Sequence, residues 1–136
     1  MVKMNAVYEG DLRCRLTHEQ SGSVILTDAP KDNMGKGEAF SPTDLVAAAL
    51  GSCMLTIMGI AARKSNIDIK GARVDVSKEM VTTPLRRIGT ITVDVHMPKG
   101  IPVDQRSMLE HAAHACPVHK SLHPDVVTPI NFHYAD

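Results

Sequence analysis

Tryptophan is absent, and aromatic residues make up only 3% of the 136 residues. So few rings provide no stacking platform of the kind that single-stranded nucleic acid needs. An excess of charge is lacking too, with 15 Lys+Arg against 15 Asp+Glu. That balance removes the electrostatic footprint of a phosphate-backbone binder, and no nucleic-acid partner is expected. Cysteines number three, too few for a disulfide scaffold, so free thiols in a reducing compartment are expected unless redox chemistry is their purpose. The opening residues MVKMNAVYEG lack the apolar run of a signal peptide, which leads to the expectation of a cytoplasmic protein. There is no internal repeat or low-complexity tract, and the length suits a single domain over 1–136.

Against these absences stands one stretch, SPTDLVAAALGSCMLTIMGIAARK at 41–64. Ser41 reads as an N-cap, Pro42 suits the first helical position, and Asp44 completes a shortened capping box. No residue from Leu45 to Ala62 is charged, and Arg63 and Lys64 then complement the C-terminal end of the helix dipole. A surface helix would show a polar face at 3.6-residue spacing; none is visible, so this helix is expected to be covered nearly all round. It has the length of a membrane span. Gly51, Ser52, Thr56, Gly59 and the many alanines make it only mildly apolar, however, and a soluble core helix closely approached by a neighbour is expected, with no membrane partner.

The remaining elements fall into place around it. Residues 3–8 and 11–17 read as strands joined at Glu9-Gly10, the second placing Arg13 and Arg15 opposite Leu12, Cys14 and Leu16. A third strand is expected over 23–27. The loop 28–40 follows, marked by Pro30, Asn33, Gly35 and Gly37 and long enough to suggest a functional role. After the helix, 65–71 is a link with a short paired segment expected at 67–69. Strands follow over 72–81 and 87–97 with Pro84 at their hairpin, then a helix over 104–115, a helical turn over 116–122 and a strand over 126–134. The fold class is α+β, a mostly antiparallel sheet of about six strands packed on a long buried central helix. One sheet covers only one side of such a helix, so a second copy of the chain is expected to cover the other in a two-fold homodimer.

Two cysteines carry the chemistry. Cys116 precedes Pro117, which favours the N-cap position, and free N–H groups there are expected to lower its pKa. Cys53 lies mid-helix, where burial alone disfavours a thiolate; reactivity requires a nearby cation, and Arg13, Arg15, Arg86 and Arg87 are the candidates. Cys14 reads as an ordinary strand residue. A competing reading takes His111, His114, Cys116 and His119 as zinc ligands, but Pro117 redirects the chain before His119 and no second ligand cluster completes a site, so no metal is expected. In a third reading, Cys53 merely lines a pocket for a small apolar ligand.

The GSC of 51–53 in the helix begun by SPTDL, with HACPVHKSL at 114–122, resembles the OsmC/Ohr family (osmotically inducible and organic hydroperoxide resistance proteins). More closely, it resembles the branch whose central helix starts SPxxLxxAALGxC. YEGDL near the start and GARVDV at 71–76 extend the likeness over nearly the whole chain. The resemblance implies an intertwined homodimer with two active sites and thiol-dependent peroxidase chemistry on organic hydroperoxides. It makes Cys53 the peroxidatic and Cys116 the resolving cysteine, with an external dithiol as reductant and no cofactor. Alignment from Glu9-Gly10 gives the family's catalytic arginine to Arg13, with Arg15 second. The family's partner glutamate follows a proline at the start of the central helix, where this chain has Thr43. That role passes to Asp44, to Glu38 or to no residue, and Glu38, on the preceding loop, is taken as the carboxylate that orients the arginine.

Overall fold

The computed structural model describes residues 1–135, which form two compact units, 1–46 and 47–135. The first holds strands β1 (Met4–Gly10), β2 (Arg13–His18) and β3 (Val24–Asp28) in one antiparallel sheet of order β1-β2-β3. The β1–β2 turn falls at Asp11-Leu12, two residues beyond the expected Glu9-Gly10. Both residues take positive φ, 53° and 62°, the pairing that matches the twist of a two-residue hairpin. Both sheet faces expose large apolar side chains: Met4, Tyr8 and Ile25 on one, and Val7, Val24 and Leu26 on the other.

Helix α1 (Pro42–Lys64) follows loop 29–40 and its single 3₁₀ turn. Its start is the reciprocal cap foreseen from the sequence. Asp44 N–H donates to Ser41 Oγ at 3.1 Å and Ser41 N–H donates to Asp44 Oδ2 at 2.9 Å, satisfying two of the helix's unpaired donors. Its end is a Schellman motif around Asn66, whose φ is 56°. Ile67 N–H reaches Ala62 O at 2.9 Å and Asn66 N–H reaches Arg63 O at 3.3 Å. Ile67 then turns back onto the core, so the paired segment expected at 67–69 does not form.

The second unit contains β4 (Arg73–Val81), β5 (Arg87–Met97), α2 (Val103–His114), α3 (Pro117–Ser121) and β6 (Ile130–Tyr134). The six strands therefore exist, but in two sheets of three rather than one sheet. In the second sheet β5 is central, antiparallel to β4 and parallel to β6. The parallel pairing follows from the connection: α2 and α3 carry the chain back over the sheet, as a crossover must. The expected strand 126–134 is shortened to Ile130–Tyr134, because Pro129 has no N–H to give the ladder. Pairing still begins earlier, since Val127 exchanges both backbone bonds with Gly89 and Ile91 at 2.9 Å.

The core is a single contact layer. Ile91, Val93, Val95 and Met97 of β5 alternate inward, and Leu50, Met54, Met58 and Ala62 of α1 meet them, joined by Leu109, Ala113 and Cys116. Leu50, Met54 and Met58 are fully buried, each worth about 1.5–3 kcal/mol in area removed from water. The helix is thus covered along one stripe, not all round. Val46 and Ile60 remain exposed on the single chain, which leaves the expected second copy with a surface to cover.

Gly51 marks the closest approach of α1 to β4. A Cβ built there would lie 2.8 Å from Val76 Cγ2 and 2.9 Å from Val74 Cγ2. Alanine gains about 1 kcal/mol of helix propensity over glycine, while overpacking a filled core costs about 1–3 kcal/mol. Gly51→Ala is therefore expected to be neutral to mildly destabilising, and Gly51→Leu to lower the thermal midpoint by several degrees. Ser41→Ala should cost about 1 kcal/mol in urea titration through loss of the cap.

Candidate active site

The second unit brings the two chemistry-bearing cysteines together. Cys53 sits two residues beyond Gly51, half-buried on α1. Cys116 is fully buried and occupies the N-cap of α3, as Pro117 at the first helical position foretold. Its Sγ accepts the His119 N–H at 3.5 Å, and Cys53 packs against the core cluster that contains Cys116, near enough to disfavour its thiolate. Neighbouring cysteines of one core are the kind of pair that a disulfide, with its S–S bond of about 2 Å, can join.

The protonation of the pair departs from the expectation of a low-pKa Cys116. Burial pushes the Cys116 thiol up, the hydrogen bond with Cys53 pushes it further, and the N–H groups of His119 and Val118 only partly oppose them. The helix start does what was expected of it; desolvation, which disfavours the charged form, outweighs it. Cys116 therefore keeps its proton. His119 does more than cap, because its ring Nε2 lies 2.9 Å from Thr128 Oγ1. Thr128 had no local signal in the sequence, since the contact joins a short helix to a loop nine residues on.

Arg13 and Glu38 belong to the first unit, and it brings them together. Arg13 Nη2 lies 2.6 Å from Glu38 Oε2, which supports the guanidinium's charge and raises its pKa further, first by the hydrogen bond and then by Coulomb attraction. A third member of this group went unnoticed in the sequence. Asp28, at the end of β3, is buried, with Oδ2 3.7 Å from Arg13 Nη2. It is the cross-strand partner of Arg13 in the β2–β3 register. The same Oδ2 accepts Glu38 N–H at 3.0 Å. Asp28 Oδ1 is buried and without a hydrogen-bond partner among the described residues, a state that costs about 1–3 kcal/mol or more for a polar atom. Only the T-D-A-P step from strand to loop could have hinted at it, and that composition is common at strand ends.

Two of the other candidate arginines are occupied elsewhere. Arg15 Nε pairs with Glu9 Oε2 at 3.2 Å, and Arg87 Nη1 donates to Ile88 O at 3.0 Å; Asp44 caps α1. Cys14 is a half-buried strand residue. The histidines of the zinc reading do not converge. His111 Nδ1 contacts Ser107 O at 3.1 Å, His114 packs edge-on to Phe132 at 5.9 Å, and His119 turns to Thr128. Among the described residues no group of three or more His, Cys, Asp or Glu side chains is placed to hold a metal ion.

Comparisons with known proteins agree on one family. The family profile described as OsmC-like protein matches residues 35–131. A search of curated protein sequences gives no significant match. Among solved structures, a Psychrobacter arcticus protein provisionally named an osmotic stress induced and detoxification response protein is 44% identical. It superposes with a TM-score of 0.92 over 98% of this chain and 96% of its own. An organic hydroperoxide resistance protein from Legionella pneumophila (16% identity, TM-score 0.78, 98% and 96% covered) shares the fold. So does one from Bacillus subtilis, at 20% identity and TM-score 0.71 over 97% of both chains. By its profile match and its 44% identical relative, this chain belongs to the OsmC-like protein family.

Proposed function

We propose that this protein is a thiol-dependent peroxidase that reduces organic hydroperoxides to alcohols. The observation that carries the reading is the packing of Cys53 against the core cluster that contains the buried Cys116. The names of fold relatives as organic hydroperoxide resistance proteins support it. Cys53 attacks the terminal oxygen of ROOH; the O–O bond breaks, RO⁻ takes a proton and leaves as ROH, and Cys53 becomes a sulfenic acid. The Cys116 thiol, held ready beside it, then displaces hydroxide from that sulfur, forming the Cys53–Cys116 disulfide and water. An external dithiol restores both thiols by exchange and is itself oxidised to a disulfide.

The division of labour has a physical basis. A resolving cysteine should not compete for peroxide, and a buried thiol whose charged form is disfavoured meets that need. Arg13, oriented by Glu38, is assigned the stabilisation of the Cys53 thiolate and of the developing alkoxide. Exposed apolar side chains on both faces of the first sheet and along α1 support a homodimer of this chain as the working form. Dithiol reductants are kept in reducing compartments, which fits the cytoplasm.

Stopped-flow kinetics with cumene hydroperoxide test the reading. Cys53→Ser should abolish consumption, and Cys116→Ser should allow one turnover, after which Cys53 accumulates as sulfenic or sulfinic acid. Arg13→Ala should slow attack by about 10²-fold or more, the usual effect of removing one charge-stabilising group. Unchanged rates in Cys53→Ser would refute the assignment. The dimer is tested by analytical ultracentrifugation at micromolar concentration, where a monomer would contradict it.

Cys116 also makes a pH prediction. Its folded pKa lies above the ordinary thiol value of 9.0, so the folded state binds the proton more tightly than the unfolded chain. That stabilisation is complete below the unfolded pKa and is lost as pH rises towards the folded one. The difference in unfolding free energy between the parent and Cys116→Ser should therefore shrink above about pH 9.

A further inference from the structure

Arg13 faces two carboxylates of opposite character. Glu38 is the outer one; its side chain is 58% exposed and stands on a loop, where an ion pair is screened by water and easily exchanged. Asp28 is the inner one, with a side chain only 2% exposed, fixed on a strand directly across from Arg13. Loop 29–40 is also tied to this point. Asp28 N–H donates to Phe40 O at 3.1 Å, Ala29 N–H to Leu12 O at 3.2 Å, and Asp28 Oδ2 takes Glu38 N–H at 3.0 Å. Oδ1, buried and unbonded among the described residues, is a further acceptor on the same carboxylate.

We propose that Asp28 is a positioning residue: it seats Glu38 through its backbone N–H and holds the Arg13 guanidinium in place when the Glu38 carboxylate swings away. The relevance to catalysis rests on the reading of Arg13 as the cation that serves Cys53. The clamp itself concerns only Arg13, Glu38 and Asp28, and so can be tested without turnover. Its chemistry also explains why a buried carboxylate with an unmade hydrogen bond would be kept. The buried charge is the counter-ion that remains when the outer one leaves, and burial makes its attraction for the guanidinium less subject to screening.

The substitutions separate the two roles. Asp28→Asn keeps an oxygen for Glu38 N–H but removes the charge; Asp28→Ala removes both. In the full-length protein, nitrogen-15 NMR of the Arg13 Nε–H reports whether the guanidinium is held. In Glu38→Ala its solvent exchange should stay within about threefold of the parent. In Asp28→Asn/Glu38→Ala it should rise more than about tenfold, towards free arginine. Amide exchange at Glu38 should likewise rise about tenfold in Asp28→Ala and stay near parental in Asp28→Asn. This second measurement uses single substitutions and stands if the double variant does not fold. Where peroxide is consumed, the double variant should lose more than the product of the two single losses, because each carboxylate substitutes for the other. A merely structural role would lower all rates in parallel with stability and leave the Arg13 signal of folded protein unmoved. Release of Arg13 in Glu38→Ala alone, or parental Glu38 exchange in Asp28→Ala, would overturn the proposal. A parent that consumes no hydroperoxide would defeat the functional reading instead, and the NMR result would still decide the clamp.

Discussion

Close packing of α1 on the β4–β5 hairpin is the constraint from which the rest of the second unit follows. Glycine at 51 lets the helix lie against Val74 and Val76. That contact places Leu50, Met54 and Met58 over the inward residues of β5. Two residues on from the contact the chain carries Cys53, so the depth of the helix in the core fixes the depth of the thiol. The same core takes in Leu109, Ala113 and Cys116, so Cys116 is buried by the layer that positions Cys53. A larger residue at 51 would move the helix and the thiol together.

Burial also governs the protonation of Cys116. Cys116 has the local geometry of a reactive thiol, an N-cap with a proline behind it and a backbone N–H on its sulfur. In water that would favour a thiolate. In a desolvated site the same N–H groups are too few, and the hydrogen bond to Cys53 tips the balance further. Local motif and tertiary environment thus act in opposite directions on one sulfur, and the environment wins.

Much of this was legible in the chain itself. The capping box at Ser41 and Asp44, the cap at Cys116-Pro117 and every strand core depend on local chemistry, while the pairing of Arg13 with Glu38, 25 residues apart, is expected only from the family's need for a carboxylate beside its arginine. What was not legible depends on contacts distant in sequence. A run without charges suggests burial on all sides, yet a single chain buries only the stripe facing β5, because small residues tolerate either environment. The division into two sheets is a choice of pairing that strand patterns do not record. The segment at 67–69 was lost to a helix cap that needs Asn66 at positive φ. Asp28 escaped notice because its role comes from the register of β2 with β3, and nothing within its own strand reveals it.

The central claim is that Cys53 and Cys116 form one redox pair. The most direct measurement is peptide mass mapping of the reduced parent protein after one equivalent of cumene hydroperoxide, with thiols blocked at once in acid. The account predicts that the peptides containing Cys53 and Cys116 are recovered joined, with the loss of two hydrogens, while Cys14 is recovered blocked as a free thiol. Recovery of Cys53 and Cys116 as separate peptides, both still free thiols or with only Cys14 oxidised, would contradict it.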